Sequence, residues 1–380
     1  MANHRKIKVA LMSYAMDNRP GKGSAVYTRE LISHLLDDDR FIFTLVHYEP
    51  VADPLYRRAP EIILPKFWLS SRWLQQLKWF WQARHEPFDL IHWFQPRLYP
   101  GYWWAPARFK IATIHGGGQF YYPWHSLSAR MFDWVLKYLN WALDLAIVAT
   151  TAARQEAAGT YRLSPNRLAV TYYGGGENFQ PLAKNEALTI IQKRYPQIKG
   201  EFILTVSRLQ PHKNLDNLIR GYNQFRDQSP TKPQLVIIAQ PAESAAATYQ
   251  LAQNSKYAKD IIFIDFVPAA DLNYFYSAAV LFIFPSLSEG FGLPVVEAMA
   301  AGTPVAVSNI PVLAEVAGEA GTLFNPYKPD EIAAVLTRLL ADTVYRDLCR
   351  RRGLNRAQEF TWAKTAAATK EIYLNLINHG

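Results

Sequence analysis

The sequence predicts an α/β protein built as two doubly wound, Rossmann-like domains facing each other across a cleft. Three observations carry that expectation. At 380 residues the chain exceeds the size at which one core usually suffices. Short apolar runs of strand length alternate with segments of helical spacing, the signature of parallel sheets covered on both faces. The alternation then starts again after a turn-rich passage, which places a hinge near residues 175–200.

The elements follow in order. Residues 7–15 (IKVALMSYA) read as a buried first strand. The start is basic, but no small-residue cleavage site follows its short apolar run, so a strand is expected rather than a signal peptide. Pro20, Gly21 and Gly23 form a loop, and SAVYTRELISHLL then spaces Tyr27, Leu31 and Leu35 along one helical face. FIFTLVHY, FDLIHW, FKIATIH, DLAIVAT (144–150) and LAVTYYG (168–174) continue as strands. After the turn-rich YYGGGENFQPLAKNE, the strand FILTVSRL (202–209) leads into a helix with apolar Leu215, Leu218, Ile219 and Tyr222. QLVIIAQ, IIFIDFV, VLFIFPS and TPVAVSN are the remaining expected strands.

Composition sets limits on function. Lys and Arg outnumber Asp and Glu by 41 to 32, a net charge of +9 that favours anionic partners: nucleotides, phosphates, acidic lipid or nucleic acid. The single cysteine, Cys349, excludes an internal disulfide and a cysteine metal cluster, suits a reducing compartment and reads as a packed helix residue. No uncharged apolar run reaches the ~18 residues of a membrane-spanning helix.

In an open parallel sheet, ligands sit outside the carboxyl ends of the strands. The loops to inspect are therefore 16–23, the one at His115, 208–214 and 287–293. SRLQPHKN (207–214) closes a strand and opens a helix. Arg208 and Lys213 beside a helix N-terminus suit a diphosphate. The plain alternative is a solvated arginine with Asn214 as an ordinary cap, and these residues alone do not decide between the two. SLSEGFGLPVVEAMAAGTPV lies at the same sheet edge. Gly290 and Gly292 let the backbone approach a ligand, and Pro294 suits the first turn of a helix. Glu289 then precedes that helix and Glu297 lies one turn inside it, so the two carboxylates can accept hydrogen bonds from hydroxyls about one nucleotide-sugar apart. Two helix-start carboxylates favoured by the dipole are the alternative, and the flanking Gly-X-Gly turn makes it the weaker one.

With these segments the chain resembles the family 4 glycosyltransferases, retaining enzymes of the GT-B fold. The resemblance is strongest in SRLQPHKNLDNLI, in the stretch from FVPAADLNYFYSAAVLFIFPS through SLSEGFGLPVVEAMAAGTPVAVSN, and in GEAGTLFNPYKPDEIAAVL. It implies that Arg208 and Lys213 bind the donor diphosphate and stabilise the leaving group. Glu297 would hold the ribose hydroxyls. Glu289, with the backbone of Phe291, Gly292 and Leu293, would hold the donor sugar. In the first half, PGKGSAVYTRELISHLL looks like the family's glycine-rich loop with Gly23 close to the phosphates, and ATIHGGGQFYYP like the loop that brings a histidine, His115, to the donor sugar. Two departures stand out: Gly116 follows His115 where many relatives have Asp, and YYGGGENF replaces the usual Pro-Asn-Gly-Val-Asp type of motif. His92 is read as structural. The resemblance also implies an acceptor-side domain at 1–180, a nucleotide-sugar domain at 181–361, and a last helix, 362–380, packing back on the first.

A hexosyl transfer from GDP-mannose or a UDP-sugar to a glycan or lipid-linked acceptor is therefore expected, in cell-surface polysaccharide synthesis. No cofactor and no metal are expected, since there is no Asp-x-Asp motif and no convincing histidine ligand spacing. The Trp-rich, basic stretches 66–84 and 97–110 have three readings. One is a helix whose stripe of Leu69, Trp73, Leu77 and Phe80 covers the sheet. Another is an amphipathic surface for an anionic membrane, which would put a cytoplasmic protein at the inner membrane face. The third is an acceptor groove lined by Trp68, Trp79 and Trp81. Competing functions are a nucleotide-sugar epimerase or hydrolase of like architecture and a basic nucleic-acid-binding protein. A dinucleotide oxidoreductase is disfavoured, because the loop at 21–23 lacks the third glycine and the acidic partner on the next strand. The basic residues are dispersed and form no binding module, so nucleic acid is not the expected partner.

Overall fold

The structure, a computed structural model, describes residues 5–17, 23–64, 71–116, 127–241 and 245–380, with only the backbone at 128 and 129. Two compact units account for the chain: residues 1–174 with 362–380, and residues 175–361. The first boundary thus falls a few residues before the expected 180.

Unit 1 is a seven-stranded parallel sheet. Its strands are β1 (Ile7–Met12), β2 (Phe41–His47), β3 (Glu61–Ile63), β4 (Phe88–Trp93), β5 (Ala107–Ile114), β6 (Leu145–Val148) and β7 (Leu168–Val170), in the order β3-β2-β1-β4-β5-β6-β7. The order reverses at β1, whose Val9 lies opposite Phe43 of β2 and Leu90 of β4. Val9, Ala10, Leu11 and Met12 are all fully buried, as a strand covered on both faces requires. The helices among the described residues are α1 (Gly23–Leu35), α2 (Arg72–Ala83), α3 (Leu127–Tyr138) and α4 (Thr151–Tyr161). Helix α4 starts where the Thr150 hydroxyl accepts the Ala153 N–H at 2.9 Å, and stops at Arg162, which is in the left-handed conformation.

The C-terminal helix, Trp362–His379, completes unit 1 and buries Trp362, Thr365, Ala366, Thr369 and Tyr373. Gly174 fixes where it begins: a Cβ there would lie 2.2 Å from the Trp362 nitrogen. In the core, the Tyr373 hydroxyl meets Nδ1 of His92 at 2.6 Å, and Nε2 of His92 meets Thr113 Oγ1 at 2.8 Å. Burial pushes His92 down to about 3, so a neutral imidazole with both nitrogens satisfied ties the last helix to the sheet.

Unit 2 is a six-stranded parallel sheet: β8 (Phe202–Arg208), β9 (Gln234–Gln240), β10 (Ile261–Ile264), β11 (Leu281–Phe284), β12 (Val305–Ser308) and β13 (Gly321–Phe324), in the order β10-β9-β8-β11-β12-β13. Its helices are α5 (Lys184–Arg194), α6 (Leu215–Gln228), α7 (Ala245–Gln253), α8 (Ala269–Ala278), α9 (Leu293–Ala300), α10 (Pro311–Ala317), α11 (Pro329–Ala341) and α12 (Thr343–Ala357). Cys349 lies buried on α12, with its sulfur 3.8 Å from Thr322 Oγ1.

Three sequence expectations change. The passage taken as a hinge contains α5, which buries Ala187 and Ile191 and is pinned by an ion pair from Arg194 to Asp271 of α8. Strands β3 (Glu-Ile-Ile) and β13 (Gly-Thr-Leu-Phe) present no continuous apolar run and were not foreseen. On α2 the buried residues are Gln75, Gln76, Trp79 and Phe80, whereas Trp73 stays at the surface with its indole N–H on the Pro100 carbonyl at 2.6 Å. The helix does cover the sheet, but through a face rotated from the expected stripe. Lys66, Trp68 and Leu69 lie outside the described residues. Among the described residues, no helix is long and apolar enough to cross a membrane.

Candidate functional site

The strand order of unit 2 reverses between β8 and β11, so the loops leaving their carboxyl ends flank a crevice. After β8 the chain makes a short 3-10 turn, Pro211–Lys213, and enters α6. After β11 it runs through Ser286 to Gly292 and enters α9. The Leu287 N–H donates to the His212 carbonyl at 2.8 Å, which stitches the two loops together.

Asn214 is not a cap. Its backbone is left-handed (φ 58°), and its side chain makes no capping bond. Its Nδ2 donates instead to the Pro285 carbonyl at 3.0 Å and the Pro326 carbonyl at 2.7 Å. One buried amide therefore fastens the loops after β8, β11 and β13 to one another.

On this frame Lys213 Nζ donates to Glu289 Oε1 at 2.5 Å, with side chains only 14% and 12% exposed. The ammonium also lies 5.5 Å from the centre of the Phe284 ring. Arg208, at the end of β8, is different. Its Nε is buried with no hydrogen-bond partner, and its guanidinium makes no ion pair among the described residues. Desolvation first and then the positive charge of Lys213 push His212 down to about 4; the Glu289 carboxylate opposes this, and Arg208 adds to it. The imidazole is neutral at neutral pH, and the net field of the loop is positive.

Gly292 supplies the turn into α9. Its φ is 101°, and an added Cβ would lie 2.8 Å from Leu313 Cδ2, so both conformation and space call for glycine. Phe291 is buried against the Phe360 ring at 5.5 Å, and Leu293 and Pro294 open the helix. Glu297 sits one turn in. It accepts the Tyr276 hydroxyl at 2.7 Å, and desolvation raises its pKa to about 6 despite that bond.

Lys213 and Glu289 are thus in contact, and Arg208 acts on the same loop. Phe291, Gly292, Leu293 and Glu297 belong to the facing strand-to-helix connection. The two remaining residues lie in unit 1. Gly23 is the first residue of α1, and an added Cβ would meet nothing within 4 Å; Pro20 and Gly21 lie outside the described residues. His115 follows β5. Its Nε2 meets the Phe94 carbonyl at 2.6 Å and its Nδ1 the Tyr173 hydroxyl at 2.8 Å, and burial lowers its pKa to about 4. Both ring nitrogens are engaged within unit 1, with the Phe94 carbonyl and the Tyr173 hydroxyl.

Sequence reasoning missed Tyr276, the partner of Glu297, which comes from α8 with no spacing to announce it. It also missed His212 and the bridging role of Asn214; the run Pro-His-Lys-Asn displays both residues but not their contacts. The buried Ser286 hydroxyl at the end of β11, without a partner among the described residues, was also unforeseen. Among the described residues no three His, Cys, Asp or Glu side chains converge as metal ligands.

Two family descriptions match the chain: Glycosyl transferases group 1 over residues 189–358 and Glycosyltransferase Family 4 over residues 21–174. The O-antigen chain mannosyltransferase B of Escherichia coli is 29% identical over 266 residues, 69% of this chain and 69% of that enzyme. The serotype-specific mannosyltransferase WbdA of Escherichia coli is 29% identical over 238 residues, 62% of this chain. Only 29% of WbdA is spanned by the match. Among solved structures, the Anabaena protein Alr3699/HepE in complex with UDP and glucose superposes with a TM-score of 0.75 at 17% identity, covering 97% of this chain and 99% of that one.

Proposed function

The chain belongs to the family 4 glycosyltransferases of the GT-B fold, and from that premise we propose its reaction. A hexose of the mannose or glucose type passes from a GDP or UDP donor to a glycan or lipid-linked acceptor, in polysaccharide synthesis. Configuration is retained, and no metal is needed. The mannosyltransferase relatives and the UDP-bound structural neighbour support this choice of donors.

The observation that carries the proposal is Arg208: a cation with no ion-pair partner and a buried, unsatisfied Nε among the described residues, beside Lys213 and a helix start at the switch point of the sheet. Such a cation calls for a dianionic partner. Lys213 exchanges Glu289 for the diphosphate, and together with Arg208 it stabilises the charge that develops as the sugar–phosphate bond breaks. Glu289, released, accepts hydroxyls of the donor sugar and faces the positive charge of its oxocarbenium-like transition state. Glu297 accepts the ribose hydroxyls, with Tyr276 orienting it. The acceptor oxygen bonds to the anomeric carbon on the face the diphosphate leaves, and its proton passes to a phosphate oxygen. No side-chain base is required.

Trp81 and Trp104 (each 66% exposed), Trp134 and Trp141 support peripheral contact of unit 1 with an anionic membrane, which would place the protein at the cytoplasmic membrane face. Co-sedimentation with phosphatidylglycerol vesicles, absent with phosphatidylcholine, checks that part.

The reaction is tested by calorimetric titration with UDP, GDP, ADP and NAD, without metal. Tight binding of one nucleoside diphosphate, lost in Arg208→Ala, supports the donor site and names the base. No binding by any of the four sinks the proposal. Release of nucleoside diphosphate from the donor at an undiminished rate without acceptor would favour a hydrolase or epimerase.

A further inference from the structure

Unit 1 carries a second polar recess, of about 150 Å³, lined by Tyr14, Tyr48, Arg72, Arg97, Tyr99 and Phe132. Topology places it. Tyr14 follows β1, Tyr48 follows β2, and Arg97 and Tyr99 follow β4, so the recess lies at the carboxyl ends of the strands around the order reversal of this sheet. Arg72 is the first residue of α2 and Phe132 comes from α3.

The walls are aromatic and the functional groups are donors. The Tyr14 and Tyr48 rings lie 5.4 Å apart, and the Tyr99 and Phe132 rings 4.9 Å apart, edge to face. The Arg72 guanidinium lies 4.9 Å from the Tyr48 ring centre, and Gln76 Nε2 holds the Tyr48 hydroxyl at 2.6 Å. Tyr14 is 7% exposed, and its hydroxyl is buried without a hydrogen-bond partner among the described residues. Arg97 makes no ion pair among the described residues, and Arg72 has only the exposed Glu49 at 3.7 Å. The nearby carboxylate of Asp17 is already occupied, by the Tyr48 N–H at 3.0 Å and His47 at 3.1 Å. An orphaned buried hydroxyl and two weakly answered guanidinium groups make an unfilled anion site. The volume falls below the ~300 Å³ at which small-molecule pockets begin, so it suits one anionic group and not a second nucleotide.

We propose that this recess binds the phosphate of the acceptor substrate: the acceptor is a phosphorylated saccharide or a lipid-linked saccharide diphosphate, gripped by Arg72 and Arg97 and by the Tyr14 hydroxyl. A neutral sugar could accept from the hydroxyl but would leave both positive charges uncompensated. The word acceptor rests on the transferase reading above. The anion site itself does not, because its test reads phosphate binding in unit 1 and not transfer.

The protein is used saturated with any nucleoside diphosphate that the titration identifies, or as Arg208→Ala if none binds, so that Arg208 does not compete for phosphate. Inorganic phosphate is then titrated by calorimetry. Binding weakened roughly tenfold or more in Arg97→Gln and in Tyr14→Phe, the scale of one charge-assisted hydrogen bond, supports the site, provided nucleotide affinity and melting temperature are unchanged. Equal phosphate binding by wild type and both variants, or none by wild type while nucleotide binds, overturns it. Glucuronate binding as tightly as phosphate would overturn the assignment to phosphate. Two further probes separate the sources: mannose 6-phosphate in solution, and farnesyl diphosphate in phosphatidylcholine vesicles. The one that binds more tightly and loses affinity in Arg97→Gln identifies the acceptor class. Insensitivity of both to that change refutes the proposal.

Discussion

Replacing Glu297 by Gln should make the protein more stable and less able to bind its nucleotide. The carboxyl takes up its proton at about 6 in the fold against an ordinary 4.5, because desolvation outweighs the Tyr276 bond. A carboxyl that holds its proton more tightly folded than unfolded favours folding at low pH. That contribution is complete below about 4.5 and is lost as pH rises through about 6. At pH 8 this preference destabilises the fold by roughly 1–2 kcal/mol, a figure discounted because the side chain is part-buried rather than fully enclosed. Gln keeps an acceptor for Tyr276 and carries no charge to desolvate. Glu297→Gln should therefore raise the melting temperature of unit 2 by about 2–8 °C at pH 8, and by much less at pH 4.5. Nucleoside diphosphate affinity should fall at pH 8, and in the wild type it should fall as pH drops through about 6. Melting curves at the two pH values and calorimetry check both parts. An equal gain at both pH values would refute the electrostatic argument, and unchanged affinity would remove Glu297 from the ribose site.

Lys213→Ala and Glu289→Ala should each abolish transfer. Each strands a partner that is mostly shielded, at a cost of roughly 1–3 kcal/mol, and the double variant should recover part of that loss in a denaturation cycle; wild-type turnover by either single variant would eliminate that residue from the mechanism. Asn214→Ala should cost roughly 2–4 kcal/mol, from two buried hydrogen bonds and a left-handed backbone, and a loss below about 0.5 kcal/mol in urea unfolding would show that the loops after β8, β11 and β13 do not depend on it. Gly23→Ala meets no protein atom and should leave the melting temperature within about 2 °C while lowering transfer if phosphates approach that backbone; unaltered kinetics would free Gly23 from the donor site.

Much of the fold was legible because its central strands are continuous apolar runs, such as Val9 to Met12 and Leu281 to Phe284, which only a doubly covered sheet explains. Strands β3 and β13 escaped because neither is a continuous buried apolar run: β3 exposes Glu61 and Ile63, and β13 is Gly-Thr-Leu-Phe with Leu323 exposed. Helix α5 escaped because only Ala187 and Ile191 of its residues are buried. At the site, residue types and loop positions were readable: two cations after β8, two carboxylates around a Gly-X-Gly turn. Pairing was not. That Lys213 meets Glu289 and Tyr276 meets Glu297 depends on how β8, β11 and α8 are laid side by side, which no local spacing encodes. The role of Asn214 was hidden for a related reason: its position before a helix allowed a side-chain cap, while its amide faces two carbonyls far along the chain.

The pairing of Lys213 with Glu289 bears on turnover as well as on binding. In the proposed reaction a whole donor would engage the carboxylate through its sugar and the ammonium through its diphosphate, so one molecule would keep the two side chains apart. After transfer the sugar would be gone, and the vacated carboxylate would compete with the spent nucleotide for the lysine. The enzyme would thus carry its own displacing anion, one that acts only after the bond has been made. Glu289→Gln should then retain the nucleoside diphosphate longer than wild type in stopped-flow release, and equally fast release would show that the carboxylate does not recapture the lysine.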